Sequence, residues 1–327
     1  MSDPAPDDEV AEEVHRTAED IGSMEIRGAA TIAAAAAEAL GAQADASDAD
    51  SPAAFRAELR AAARILYDTR PTAVSLPNAL RYVFRDVDGR TVEDLHESVH
   101  TSVTEFCDRL DTAQSDLGRM GANRLRDGDT IMTHCHSTDV LACVETAVGQ
   151  GKSLSAYVKE TRPRNQGHIT AEALSEMGVD VTLIVDSAAR RYLNDVDHVL
   201  VGADSIAADG SVVNKIGTSG LAVNARDRGT PITVAAQTLK LHPDTLTGHT
   251  VEIEDRDVRE VLSVEEQREI TGDDADEELV VENPAFDVTP PRYVDAIVTE
   301  HGQFPPESIV TLMRELYGAG VDDPWDD

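Results

Sequence analysis

The chain has 327 residues and a formal net charge of −34, with a pI near 4.4; it is long enough for two domains or one large α/β unit. Only four of its 28 basic residues are lysine: Lys152, Lys159, Lys215 and Lys240. An acidic surplus with Arg in place of Lys reads as a solvated, salt-adapted surface, and with no basic stripe to displace phosphate counterions, nucleic acid is excluded as a partner.

Three cysteines without regular spacing, no signal segment and no apolar run of membrane length predict reduced thiols, a cytoplasmic location and no membrane partner. Aromatic residues are 4% of the chain, so the core has to be built from Ala, Val, Leu and Ile.

Residues 1 to about 14 read as a frayed acidic terminus, with a helical pattern from Val10. Met24 to Thr31 then leads into an Ala-rich helix ending at Leu40. Within a helix Gly28 would cost about 1 kcal/mol relative to Ala. Beside Arg27 it fits either a plain turn between helices or a broken helix whose amides approach a phosphate. Residues 41–52 read as an acidic linker. Phe55, Leu59, Ala63 and Leu66 form one apolar helix face ending near Thr69, and Pro71 fixes Arg70 at a corner. Two more helices are expected over about 76–84 and 91–119. Residues 1–120 therefore read as an N-terminal helical domain, and 121–327 as a Rossmann-like, doubly wound parallel α/β domain.

That second domain is organised around residues 130–159. Ile131 and Met132 read as a strand, the cluster Thr133-His134-Cys135-His136-Ser137-Thr138 as a polar turn, 139–148 as a helix and 154–158 as a second strand. This is a βαβ unit with a right-handed crossover. Ligands of such sheets sit beyond the carboxyl ends of the strands. Further strands over 179–185, 198–203 and 231–236 end at Asp186, Asp204 and Gln237 to Lys240. One sheet edge thus gathers a thiol, carboxylates, Arg and Lys.

Cys135 admits three readings: a zinc ligand with its flanking histidines, a buried structural thiol, or a reactive one whose pKa a helix N-terminus lowers. Strand alternation points it away from both histidines and no second ligand pair appears, so no metal is expected. Cys107 and Cys143 read as core cysteines. Asp204 follows an apolar run, which predicts poor solvation and a raised pKa suited to a general acid, or else a cap. Ala208 to Gly210 reads as a hairpin turn returning the chain to Asn214 and Lys215, and the Gly- and Ser-rich 217–220 as a weak phosphate-loop signal. Lys215 and Lys240, kept in apolar strand-end segments of a lysine-poor chain, suit a ligand with two anionic groups. Residues 271–278 read as an acidic surface loop and 283–291 as an extended, Pro-locked segment that caps a site or simply connects.

Taken together, Arg27-Gly28-Ala29, Arg70-Pro71-Thr72, Thr133 to Ser137, Glu160 to Pro163, Gly202 to Asp204, Asn214 to Thr218 and Phe286 to Pro290 resemble, over residues ~20–320, a known superfamily. It comprises the aldose-1-phosphate isomerases and the regulatory subunits of the translation-initiation nucleotide-exchange factor. The Thr-His-Cys-His-Ser turn is similar to that of the archaeal ribose-1,5-bisphosphate isomerases. Methylthioribose-1-phosphate isomerases carry a different turn there, and the translation-factor subunits lack the Cys and Asp pair. The resemblance implies Cys135 as proton acceptor and Asp204 as proton donor. It implies substrate contacts from Arg27, Gly28, Ala29, Ala30, Arg70, Ser137, Thr138, Asp139, Asn214, Lys215 and Lys240. It further implies a sugar bisphosphate substrate, no redox cofactor, AMP as an allosteric activator, and a homo-oligomer (a dimer or a trimer of dimers). Two routes fit these residues, a hydride shift from C2 to C1 or proton abstraction through an enolate.

Overall fold

The computed structural model describes residues 10–23, 25–26, 28–70, 74–251, 253–271, 279–317 and 323–325, with residue 249 described by its backbone only. Arg27, Pro71, Thr72 and the acidic stretch 272–278 lie outside them. The chain divides into two compact units. One takes in Met1–Ala113, Leu239–Asp244 and Thr311–Asp327; the other takes in Gln114–Thr238 and Thr245–Val310.

The first unit is helical: α1 (Glu12–Gly22), α2 (Ala29–Ala46), α3 (Pro52–Thr69), α4 (Ser75–Arg85) and the start of the long α5 (Val92–Ala122). Ser51 caps α3 by accepting the Ala54 amide, and Pro52 occupies the first turn, where a missing N–H costs nothing. The expected linker over 41–52 is instead helical to Ala46, with Gln43 and Ala44 buried. Alanine favours helix strongly enough to carry the scattered acidic residues, and Gln43 Oε1 accepts the Ala11 amide at 2.8 Å. The unit also claims two segments that the sequence reading placed in the second domain. Asn78 donates to the carbonyls of Leu239 and Leu241, in and beside the two-residue strand that follows (β8, Leu241–His242). Arg81 pairs with Asp244 and Asp323 at 2.6 Å each. Trp325, fully buried, packs on Tyr67 at 5.4 Å between ring centroids.

The second unit holds a seven-stranded sheet in the order β11-β10-β7-β4-β1-β2-β3. These are β1 (Thr130–Thr133), β2 (Ser155–Lys159), β3 (Asp180–Ile184), β4 (His198–Val201), β7 (Ile232–Ala235), β10 (Ala296–Thr299) and β11 (Gly302–Phe304). All neighbours are parallel except β11, which runs antiparallel to β10. The crossover helices α6 (Thr138–Gly149) and α7 (Gln166–Glu176) take the chain from β1 outward to β3, and the short α8 (Ala189–Tyr192) precedes its return to β4. The winding direction therefore reverses between β1 and β4, which is the doubly wound plan expected from the alternating pattern. Buried Leu117, Ile131, Val140, Val144, Val158, Leu174 and Leu200 form one core against this sheet.

Between β4 and β7 an antiparallel ribbon is inserted: β5 (Ser205–Ala207) and β6 (Val212–Lys215), joined at the expected hairpin, and then α9 (Thr218–Arg228). The extended segment after residue 283 supplies β9 (Phe286–Thr289), paired with β6 so that Asn214 faces Asp287 and Lys215 faces Phe286. It is a strand of the ribbon, not a plain connection. The remaining helices are α10 (Val264–Thr271) and α11 (Ile309–Tyr317).

Candidate active site

Cys135 and Asp204 follow β1 and β4, the two neighbouring strands at which the sheet reverses. Crevices of this kind form where helices depart to opposite sides and leave the strand ends open. The β5–β6 pairing (Ser205 opposite Val213) brings Asn214 and Lys215 back alongside Ala203 and Asp204. Lys215 and Asp204 thereby come within electrostatic reach of the Cys135 sulfur.

Cys135 is not on the strand. It sits in a bend at φ 70, a left-handed conformation that a non-glycine residue holds only when its surroundings over-determine it. The Thr161 hydroxyl accepts its amide at 2.9 Å, and the Thr170 hydroxyl donates to its carbonyl at 2.8 Å. Each flanking histidine braces one of those threonines. His134 Nε2 donates to the Ile216 carbonyl at 2.8 Å, so Nδ1 is the acceptor facing Thr161 Oγ1 at 3.2 Å. His136 Nδ1 lies 3.1 Å from Thr170 Oγ1. The two imidazoles therefore position the bend.

Burial raises the Cys135 thiol above its ordinary value, opposed by the His136 amide, Lys215 and Arg256. The expected lowering by a helix N-terminus is thus outweighed by desolvation. Lys215 is buried and its pKa is lowered, first by that burial, although the thiol and Asp204 favour its charged form. It lies 5.2 Å over the Phe286 ring. Asp204 is exposed rather than poorly solvated as its sequence context suggested, because the strand ends before the sheet covers it. Cys143 is a core thiol pushed up to about 12 by burial and by Asp139, whereas Cys107 is only half-buried.

The other residues expected to hold substrate fall into three groups. Ser137 caps α6, accepting the Val140 amide at 3.3 Å, and Thr138 opens that helix. Asp139 is fully buried and accepts from Gln237 Nε2 at 2.9 Å, so its carboxylate ties α6 to the turn after β7. Asn214 is buried and donates to Thr218 Oγ1 at 3.0 Å. In the first unit, exposed Gly28 (φ 91) precedes α2, whose first residues are Ala29 and Ala30. Arg70 terminates α3 and Lys240 lies in a single 3₁₀ turn; both are half-buried.

A model of the initiation factor 2 subunit family matches residues 25–306. The chain belongs to that family. Among the family's curated members, the ribose 1,5-bisphosphate isomerase of Haloferax volcanii is 72% identical over 319 residues, covering 98% of this chain and 97% of its own length. The protein of the same description from Thermococcus kodakarensis is 45% identical over 325 residues, covering 97% and 99%. Among solved family structures, 5-methylthioribose 1-phosphate isomerase from Pyrococcus horikoshii aligns with a TM-score of 0.67 at 32% identity, covering 94% of this chain and 88% of that one. The helical N-terminal part and the doubly wound sheet are thus the architecture of this family.

Several residues of the site escaped the sequence reading. Lys159, almost fully buried at the end of β2, donates to the Gly217 carbonyl at 3.2 Å and lies 3.9 Å from Asp186. Asp287 accepts the Gly217 and Ser219 amides at 2.7 and 3.0 Å, so two of the amides at the α9 N-terminus are taken by the chain's own carboxylate. Gly202 is required by close approach, since a Cβ there would sit 2.4 Å from Ser137 Oγ. Arg256 and Arg164 add positive charge next to Lys215. Arg256 Nε lies 3.5 Å from Glu254 Oε1, and Arg164 is paired with Glu260. In a chain this acidic, two cations acting on one thiol, Lys215 and Arg256, are the signal to look for. Among the described residues, no helix is long and apolar enough to cross a membrane.

Proposed function

We propose that this family member interconverts ribose 1,5-bisphosphate and ribulose 1,5-bisphosphate, an aldose–ketose isomerisation that serves salvage of nucleoside monophosphates. The observation that carries the reading is the placement of Cys135 and Asp204 on adjacent strand ends at the sheet's reversal, beside Lys215 and Arg256. The names of the relatives at 72% and 45% identity point the same way.

The chemistry derives from the substrate. O1 carries phosphate, so the sugar cannot open to an ordinary free aldehyde. Asp204 gives a proton to the ring oxygen as the C1–O4 bond breaks. The Cys135 thiolate removes the O2 proton, and a hydride passes from C2 to C1 as the C2 carbonyl forms. The hydride stays within the substrate, so no redox cofactor is required. Lys215 and Arg256 favour the thiolate and suit a phosphate group, holding the sugar in register and lowering the entropy cost of orientation.

Ser137, Thr138, Asp139, Asn214 and Lys215 on the second unit, and Arg27, Gly28, Ala29, Ala30, Arg70 and Lys240 on the first, stand in this proposal as substrate-holding residues, each open to test by its own substitution. AMP is the proposed activator and a homo-oligomer, dimer or trimer of dimers, the proposed assembly. In Cys135→Ser and in Asp204→Asn, turnover of ribose 1,5-bisphosphate is expected to fall by roughly 10²–10⁴-fold with the circular dichroism spectrum unchanged. Parent-like turnover in either variant would sink the assignment.

A further inference from the structure

The helical unit carries a second cluster of chemically competent side chains, unrelated to Cys135. His96 and His100 stand one turn apart on α5, the i, i+4 spacing that puts two imidazoles on one helix face. Both Nε2 atoms converge on one oxygen of Asp45, in the last turn of α2, at 3.1 and 2.9 Å. The ligand atoms of all three lie within 4.8 Å of one another. We propose that Asp45, His96 and His100 form a site for a divalent borderline metal ion such as Zn²⁺, clipping α2 to α5.

Four independent observations bear on this. First, the donor set is right: two neutral imidazoles and a carboxylate are a familiar facial set for first-row divalent metals, whereas Mg²⁺ and Ca²⁺ prefer oxygen. Second, the spacing is close. A tetrahedral ion with bonds of about 2.0–2.1 Å needs ligand atoms roughly 3.3 Å apart, so both histidines need move only a few tenths of an ångström from Asp45 Oδ1. Third, the location favours a cation. Asp45 lies at the C-terminal, negative end of α2, whose last turn contains no basic residue. Fourth, the site is open, with side-chain exposures of 62% for Asp45 and 41% and 38% for the histidines, so an ion has a path in and water can complete the coordination. Close packing brings the partners together: a Cβ built on Gly41 of α2 would already touch the His100 ring at 3.8 Å. Spacing in sequence gives no hint of it, because the ligands come from two helices and Asp45 lies in what reads as a linker.

The test uses the untagged full chain, stripped with chelator and titrated with Zn²⁺ by calorimetry in molar salt. The expected result is a saturable site of one ion per chain that Mg²⁺ does not occupy. Single substitutions Asp45→Asn, His96→Ala and His100→Ala should each weaken it by roughly tenfold or more, since each removes a donor bond. Zn²⁺ should also raise the melting temperature of the parent and not of these variants. Co²⁺ provides a second readout: weak ligand-field bands without a thiolate charge-transfer band are expected. Zinc affinity indifferent to all three substitutions would overturn the proposal, as would a thiolate band, which would put the metal on a cysteine. Loss of zinc binding in the three variants leaves the isomerase reading untouched, since that reading rests on Cys135 and Asp204.

Discussion

Two helices of this chain begin at a glycine with positive φ, and they treat anions in opposite ways. Gly28 (φ 91) opens α2, which has no side-chain cap and no acidic residue in its first turn. Gly217 (φ 98) opens α9, where Asp287 takes the amides of Gly217 and Ser219. Both starts carry the same local invitation to a phosphate, unsatisfied amides at the positive end of a helix. Among the described residues, only the second has a carboxylate on its amides. A glycine-led turn therefore marks a place where an anion is welcome and does not say whose anion it is: at α9 the chain supplies its own.

The contrast between the two helix starts is sharpest at Lys215, two residues before the closed one. With two of the α9 amides taken by Asp287, the cations become the main anion-binding groups at this end. Lys215→Ala is accordingly expected to lower kcat/KM by roughly 10²-fold, because it removes a charge-assisted hydrogen bond and its support of the nucleophile together. Lys215 favours the thiolate of Cys135; without it the thiol pKa rises further and the acidic limb of the pH–rate profile moves to higher pH. A profile that keeps its position would separate Lys215 from the thiol.

At the open helix, Ala29→Asp puts a carboxylate in the first turn of α2. If a substrate phosphate docks there, KM should rise about 10-fold or more through like-charge repulsion, with the α-helical signal preserved or strengthened. An unchanged KM would show that α2 starts open for some other reason. Asp287→Asn probes the closed helix in turn. It removes the charge that closes α9 and should cost about 1–2 kcal/mol in a denaturant titration. The KM of the same variant for the bisphosphate shows whether the freed amides take part in binding: a lower KM means that they do, and an unchanged one that they serve only to anchor α9.

A further expected effect, on stability and not on turnover, is in its pH dependence. Burial, then the nearby Lys159 charge, lowers His134 from 6.5 to about 4. Between those values the unfolded chain binds a proton that the folded chain refuses, so stability rises with pH across the interval. It is fully present above about pH 6.5 and is lost as the pH falls toward 4. His134→Gln should flatten this part of a melting-temperature series relative to the parent; parallel curves would mean that His134 does not carry the difference.

Much of the site's framework was legible because a buried parallel strand is an apolar run and the turn after it is polar. Thr130–Thr133, Ser155–Lys159 and His198–Val201 stand out for that reason, and Cys135 and Asp204 fall into place as residues at strand ends. The surroundings that decide reactivity were not legible in the same way. The thiol is pushed up and not down because several elements bury it, and Asp204 is exposed although an apolar run precedes it. Asp139 looks like part of the polar cluster and is instead buried against Gln237, 98 residues away. The linker expected over 41–52 failed for a different reason: acidic composition was read as loop, while alanine content and a buried Gln43 keep the helix going to Ala46.

By itself, the amino-acid sequence determined the alternation of strand and helix, the family, and the thiol and carboxylate at consecutive sites along one sheet edge. These are local matters of periodicity and motif. Only the tertiary structure decided which helix start is open, which charges are paired, and that Leu239–Asp244 and the buried Trp325 belong with the helices. The physical reason is the same in each case. Desolvation, capping from a distance and helix–helix packing depend on groups far apart in the chain, as Asp287 does when it reaches Gly217 across 70 residues, and no local pattern records them.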